Sequence, residues 1–169
     1  MPQSLILKTG SRLHFGPLSY RPQAGRHFGG CGVMISEPGI ELETTVAAKD
    51  EVVGAAADRI SRFVERFRDY FGERLEVPPV RINVREMLPS HVGLGSGTQL
   101  ALAVAQSLAI LSGHSSLSME ELARAMGRGA RWVEGECVGG GIRSSSLTDV
   151  HVQVQVQVHA CACASPPRT

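Results

Sequence analysis

Pro89-Ser90-His91-Val92-Gly93-Leu94-Gly95-Ser96-Gly97, running straight into Thr98-Gln99-Leu100-Ala101-Leu102-Ala103-Val104-Ala105, is the stretch on which the fold turns. Glycines at 93, 95 and 97 remove the side chains that would block a tight turn or a close approach of the backbone to a ligand. From Thr98 to Leu111 the chain is rich in alanine and leucine, and no glycine or proline follows until Gly113. Those residues predict a well-buried helix. Just upstream, Val80-Arg81-Ile82-Asn83-Val84-Arg85 alternates apolar and polar residues with period two, which predicts a half-buried strand. Strand, glycine loop and helix start together form an arrangement that binds anions. The first turn of a helix presents unpaired N–H groups and the positive end of its dipole, and phosphate is the usual occupant. Ser96 and Thr98 add hydroxyl donors. The GK[ST] ending of a Walker loop and the GxGxxG of a dinucleotide fingerprint are both missing, and the glycine spacing alone also describes a plain turn before a helix.

Upstream of this centre the sequence reads mostly as strands. Leu5 to Lys8 and Arg12 to Phe15 are short apolar runs separated by Gly10, which predicts a hairpin-like pair. Cys31 to Ser36 predicts a buried strand, Pro38-Gly39 a turn, and Ile40 to Val46 the return strand. From about Glu51 to Tyr70 a helix is expected, with Ile60, Phe63, Val64, Phe67 and Phe71 on one face and Gly72 at its end. Phe63, Val64 and Phe67 are expected core. Downstream, Ser118-Met119-Glu120-Glu121 has the form of a capping box opening a short helix, with Met119, Leu122, Ala123 and Met126 inward. Strands followed by helices on one side predict an α+β architecture.

The last part differs. Val150-His151-Val152-Gln153-Val154-Gln155-Val156-Gln157-Val158-His159 alternates perfectly, which fits a strand in principle. The same regularity is what a simple nucleotide repeat or a shifted reading frame produces, and we read residues 132–169 as a divergent, low-complexity tail. If exposed, this valine-rich stretch of low charge favours aggregation.

Composition narrows the possible functions. The chain has 169 residues, 43% hydrophobic and 20% charged, with a formal net charge of +1. That suits one domain with a real core and argues against a broad nucleic-acid or membrane-surface footprint. No run approaches the roughly 20 apolar residues of a membrane span, and the N-terminus lacks the pattern of a signal peptide, so a cytoplasmic location is expected. Apart from Lys8 and Lys49 the basic side chains are arginines, whose planar fork suits bidentate phosphate contacts. Cys31, Cys137, Cys161 and Cys163 match no zinc-ligand spacing, and no bound metal is expected from them.

Pro-Ser-His-Val-Gly-Leu-Gly-Ser-Gly-Thr at 89–98 resembles the PxxxGLGSS motif of the GHMP superfamily, which includes galactokinase, homoserine kinase, mevalonate kinase and phosphomevalonate kinase. The resemblance implies a ribosomal-protein-S5-domain-2-like α+β fold for the N-terminal domain and a loop that wraps phosphates, with Pro89, His91, Gly93, Leu94, Gly95, Ser96, Gly97 and Thr98 as its contacts. One departure stands out: Gly97 occupies the place of the motif's second serine. Ser11-Arg12-Leu13-His14-Phe15-Gly16, Gly25-Arg26-His27-Phe28-Gly29-Gly30-Cys31-Gly32-Val33-Met34-Ile35, His91 to Leu100, and Gly127-Arg128-Gly129-Ala130-Arg131 together resemble the β-ribofuranosylaminobenzene 5′-phosphate synthase branch. That branch joins an aromatic acid to phosphoribosyl pyrophosphate, releasing pyrophosphate and carbon dioxide, on the way to methanopterin-type cofactors.

This likeness covers about residues 4 to 131, so residues 1–131 are taken as the GHMP-type domain. It implies that the C-terminal domain of the longer relatives is missing and that the chain alone turns over poorly or not at all. Arg12, Arg26, Arg128 and Arg131 lie in the matched segments and are the expected substrate contacts, because several fixed donors must converge on a 5-phosphate and a departing pyrophosphate. Each also has a structural reading: Arg12 as a solvent-facing strand residue, Arg128 and Arg131 as electrostatic caps of a helix end. His14 and His27 read as structural histidines, and the catalytic acid or base is not assigned. Magnesium is expected to accompany the phosphorylated substrate, held chiefly by the substrate's own oxygens. The alternatives are an ATP-dependent kinase of the superfamily and an inactive binding module. The expected partner is a phosphorylated small molecule, with neither nucleic acid nor membrane, and with self-association through exposed apolar surface.

Overall fold

A computed structural model describes residues 3–19, 28–90, 92–128, 131–133, 136–138 and 154–159, with side-chain detail for 3–15, 32–90 and 92–128. Its main sheet has five strands in the order β3-β4-β2-β1-β7: β1 (Ser4–Ser19), β2 (Phe28–Val46), β3 (Glu51–Val53), β4 (Val80–Glu86) and β7 (Val154–His159). β5 (Arg131–Val133) and β6 (Glu136–Val138) form a separate antiparallel pair. The helices are α1 (Ala57–Phe71), α2 (Ser96–Leu111) and α3 (Met119–Ala125). This is the mixed α and β architecture expected, with β3 alone parallel to its neighbour β4.

Three sequence expectations give way to longer-range geometry. Gly10 does not separate two strands; residues 4–19 form one strand. Likewise Pro38-Gly39 does not turn the chain back, and residues 28–46 run on as one strand. The register explains both. Thr9 faces Ile40 and Ser11 faces Ile35, so residues 36–39 loop out of β2 opposite Gly10. Extra residues in one strand make a bulge and leave the direction of the chain unchanged. Gly10 is needed because a Cβ there would lie 2.3 Å from the Ile35 carbonyl oxygen. The third correction is the start of the first helix, at Ala57 and not near Glu51. Glu51–Val53 instead pair with Arg81–Asn83 of β4, as suits adjacent β-branched valines.

The core lies between the sheet and the helices. Leu5, Leu7, Ile40, Leu42 and Ile82 from the strands meet Ile60, Val64, Phe67 and Phe71 of α1, all buried. The Phe67 and Phe71 rings pack against each other at a tilt of 47°, with 4.6 Å between centroids. α2 is buried on nearly every side from Gln99 to Leu111, and each fully buried leucine there contributes about 1.5–3 kcal/mol of apolar transfer. Ser118 caps α3 by accepting a hydrogen bond from the Glu121 amide at 3.1 Å, one half of the expected capping box, while the Glu121 carboxylate pairs with Arg74. Asp50 fastens β3, α1 and β4 together: it pairs with Arg68 and accepts from the Val80 amide at 2.9 Å. The tail contributes more than its composition promised, since residues 154–159 pair antiparallel with Ser4–Thr9 at the edge of β1.

Candidate functional site

The glycine loop carries the chain from the end of β4 to the first turn of α2. Gly93 and Gly95 have φ of +79° and +65°, left-handed conformations that a side chain strains by about 1–2 kcal/mol. Gly95 is the N-cap of α2, with no side chain capping it. Its carbonyl takes the Thr98 and Gln99 amides at 3.0 and 3.1 Å. Two further main-chain bonds moor the loop to the sheet: the Arg12 amide donates to the Leu94 carbonyl at 3.1 Å and the His14 amide to the Gly93 carbonyl at 3.0 Å. With those carbonyls turned toward β1, the start of α2 opens onto a pocket of about 600 Å³.

Gly93, Leu94, Gly95, Ser96, Gly97 and Thr98 line that pocket, together with Ser90. Opposite them stand Arg59, Arg62 and Arg66 of α1, with Phe63 between, and Arg128 after α3. Arg128 donates from Nη2 to the Gly97 carbonyl at 3.2 Å and places its Cζ 5.8 Å from the centre of the Phe63 ring. Arg66 donates from Nε to the Ala125 carbonyl at 3.1 Å, and Arg62 from Nε to the Asp58 carbonyl at 3.2 Å. Among the described residues, none of the four guanidinium groups forms an ion pair with a carboxylate. Arg59 Nη2 and Arg128 Nε are buried with no hydrogen-bond partner among those residues. Burial, and then the like charges of Arg59 and Arg66, push the Arg128 guanidinium below its ordinary value. Partnerless donors under mutual repulsion are the electrostatic condition an arriving anion relieves.

Of the residues expected from the sequence, six of the loop line the pocket, as does Arg128. Pro89 is exposed and leads into the loop without lining it. Arg12 sits on β1 behind the loop, its Cβ 3.5 Å from where a Gly95 side chain would begin, and it supports the loop through its backbone. His91 and Arg26 lie outside the described residues, and so do the side chains of Arg131 and of all four cysteines. Phe63, expected in the core, is only partly buried and also borders the pocket. Arg59, Arg62 and Arg66 escaped the sequence reading. Their spacing of three and four residues puts them on one helical face, a signal that attention to the apolar stripe beside it obscured. No group of three or more metal-ligating side chains occurs among the described residues, and none of their helices is long and apolar enough to cross a membrane.

Comparison with known proteins bears on the same segment. The family described as GHMP kinases N terminal domain matches residues 58–154. The β-ribofuranosylphenol 5′-phosphate synthase of Methanothermobacter thermautotrophicus is 35% identical over 134 residues, covering 74% of this chain and 40% of that protein. The protein of the same name from Archaeoglobus fulgidus is 34% identical over 129 residues, covering 74% and 39%. The chain thus spans about 40% of the length of the curated relatives it matches. Among solved structures, homoserine kinase from Cytophaga hutchinsonii superposes with a TM-score of 0.55 at 17% identity, covering 75% of this chain and 40% of that one. Phosphomevalonate kinase from Streptococcus pneumoniae gives 0.57 at 14% identity, covering 74% and 40%. At such identities the likeness is one of fold. Where the sequence suggested an aminobenzene product, the curated relatives carry the name of the phenol.

Proposed function

Because this chain belongs to the GHMP kinase family through its N-terminal domain, we propose that it holds the phosphate groups of a phosphorylated ribose in a reaction of the β-ribofuranosylphenol 5′-phosphate synthase type. The observation that carries this reading is the pocket itself: a glycine loop and helix start facing four arginines, with no carboxylate in its lining among the described residues. Phosphoryl transfer to a hydroxyl ordinarily employs carboxylates to hold magnesium and to take the hydroxyl proton. Displacement of pyrophosphate from a ribose carbon asks chiefly for fixed positive donors around the departing charge. The lining supplies the second set.

In this reading the loop amides and the Ser96 and Thr98 hydroxyls orient phosphate oxygens, and Arg59 and Arg128 neutralise the charge that builds on the leaving group. The bond from the ribose carbon to the pyrophosphate oxygen breaks with its electron pair leaving on pyrophosphate. The acceptor ring forms the new bond and expels carbon dioxide, whose former bonding pair restores the ring. Magnesium fits this lining as a companion of the substrate, bound through phosphate oxygens, since among the described residues hydroxyls are the only oxygen side chains the lining offers. It would supply further charge neutralisation when bound.

The test is thermal unfolding of the purified chain with phosphoribosyl pyrophosphate and magnesium, or with ATP and magnesium. Ligand at about 100 times its Kd stabilises by roughly 2.7 kcal/mol. Stabilisation by phosphoribosyl pyrophosphate and not by ATP supports the reading. Stabilisation by ATP alone replaces it with a kinase, and no shift with either overturns both in favour of an inactive module.

A further inference from the structure

We propose that Arg62 and Arg66 form a second anion subsite beside the one that the glycine loop shares with Arg59 and Arg128, so that the pocket selects a diphosphate over a single phosphate. The inference rests on the phosphate-binding reading above and adds to it the residues that set the number of phosphate groups. Two surfaces converge on the first turn of α2 from different parts of the chain. A side chain added at Gly97 would meet Arg59 Nη2 and Arg128 Nη2 at the same distance, 3.8 Å, so these two guanidinium groups flank the helix start itself. Arg62 and Arg66 stand further along α1 on the same wall of the pocket, and both are exposed.

Charge decides how many phosphates this wall needs. A phosphate monoester brings about 1.5–2 negative charges at neutral pH, enough to balance the pair at the helix start. The two outer arginines are then left facing the pocket without a carboxylate partner among the described residues. A second phosphate group, bonded to the first, reaches them and completes the neutralisation. The pocket volume of about 600 Å³ accommodates both groups with room for a sugar. Among the described residues, nothing competes for Arg62 beyond one bond from its Nε to a carbonyl in its own helix, and its terminal nitrogens remain for a ligand.

Calorimetric titration of the full chain with inorganic phosphate and with inorganic pyrophosphate, each with and without magnesium, tests the subsite. Pyrophosphate is expected to bind at least about tenfold tighter than phosphate, as one added charge-assisted contact warrants. Arg62→Ala should lower pyrophosphate affinity by about tenfold while changing phosphate affinity less than about twofold, and its unliganded melting temperature should match the parent's. Arg66→Gln provides a second variant, which retains a hydrogen-bond donor toward Ala125. Equal affinity for the two anions, or equal weakening of both by Arg62→Ala, overturns the subsite. The two proposals can fail separately. If phosphoribosyl pyrophosphate binds but neither substitution matters, only the subsite falls. If pyrophosphate binding depends on Arg62 while phosphoribosyl pyrophosphate gives no shift, only the ribosyl reading falls.

Discussion

Gly97 stands where the family motif has its second serine, and its surroundings tolerate the difference. A Cβ there meets only two guanidinium nitrogens at 3.8 Å, an ordinary contact. Gly97→Ser should therefore leave the fold intact and stabilise it by up to about 0.4–1 kcal/mol through the loss of unfolded-state freedom, read as an unchanged or slightly raised melting temperature. Gly95→Ala makes the opposite case. Its φ of +65° costs a side chain about 1–2 kcal/mol, so the melting temperature should fall and phosphate affinity with it. The loop was legible in the sequence because tight turns write themselves in glycine. The arginine wall was less so. Arg59, Arg62, Arg66 and Arg68 all lie on α1, and only the fold shows that Arg68 turns away to Asp50 while the others face the loop.

At the scale of elements, Asp50 joins three of them, and acid should loosen the joint. The hydrogen bond from Arg68 holds its carboxyl below the usual 3.8, helped by the Val80 amide against the opposing effect of burial. A depressed carboxylate stabilises the fold above its unfolded value, and that contribution is lost as the pH falls below 3.8 toward the folded value. Asp50→Asn should cost about 0.5–1 kcal/mol at pH 7, the half-exposed pair being screened by solvent, and flatten the acid limb of a stability–pH curve measured by urea unfolding. Phe67→Ala, which empties a buried site between α1 and the sheet, should cost about 3–5 kcal/mol. Helix α2 and the Ser118 cap of α3 could be read locally because their signals are local. The bulge at residues 36–39 could not, since Pro38-Gly39 signals a change in backbone and leaves open whether the chain reverses or only buckles. That choice belongs to the register of β1 against β2.

For the molecule as a whole, the sheet edge is the point most open to test. Residues 154–159 pair with Ser4–Thr9, about 150 positions away in the chain. Alternating valine and glutamine fits a strand, but the same regularity reads as a low-complexity tail, and nothing local could point to a partner so distant. Ending the chain at Val150 would leave one side of β1 with unpaired amides and carbonyls, a template for further pairing. Such a chain should melt at a lower temperature and associate with rising concentration in light scattering. Unchanged melting in a monomeric sample would mean that the strand contributes nothing. The expected α+β class was legible because the periods of strand and helix are distinct.

The mooring of the glycine loop to β1 joins main chain to main chain, at the amides of residues 12 and 14. Such bonds take no notice of which side chains those positions carry. Drift at either site therefore leaves the loop anchored, with one exception in the genetic code's repertoire: proline, which has no amide hydrogen to give.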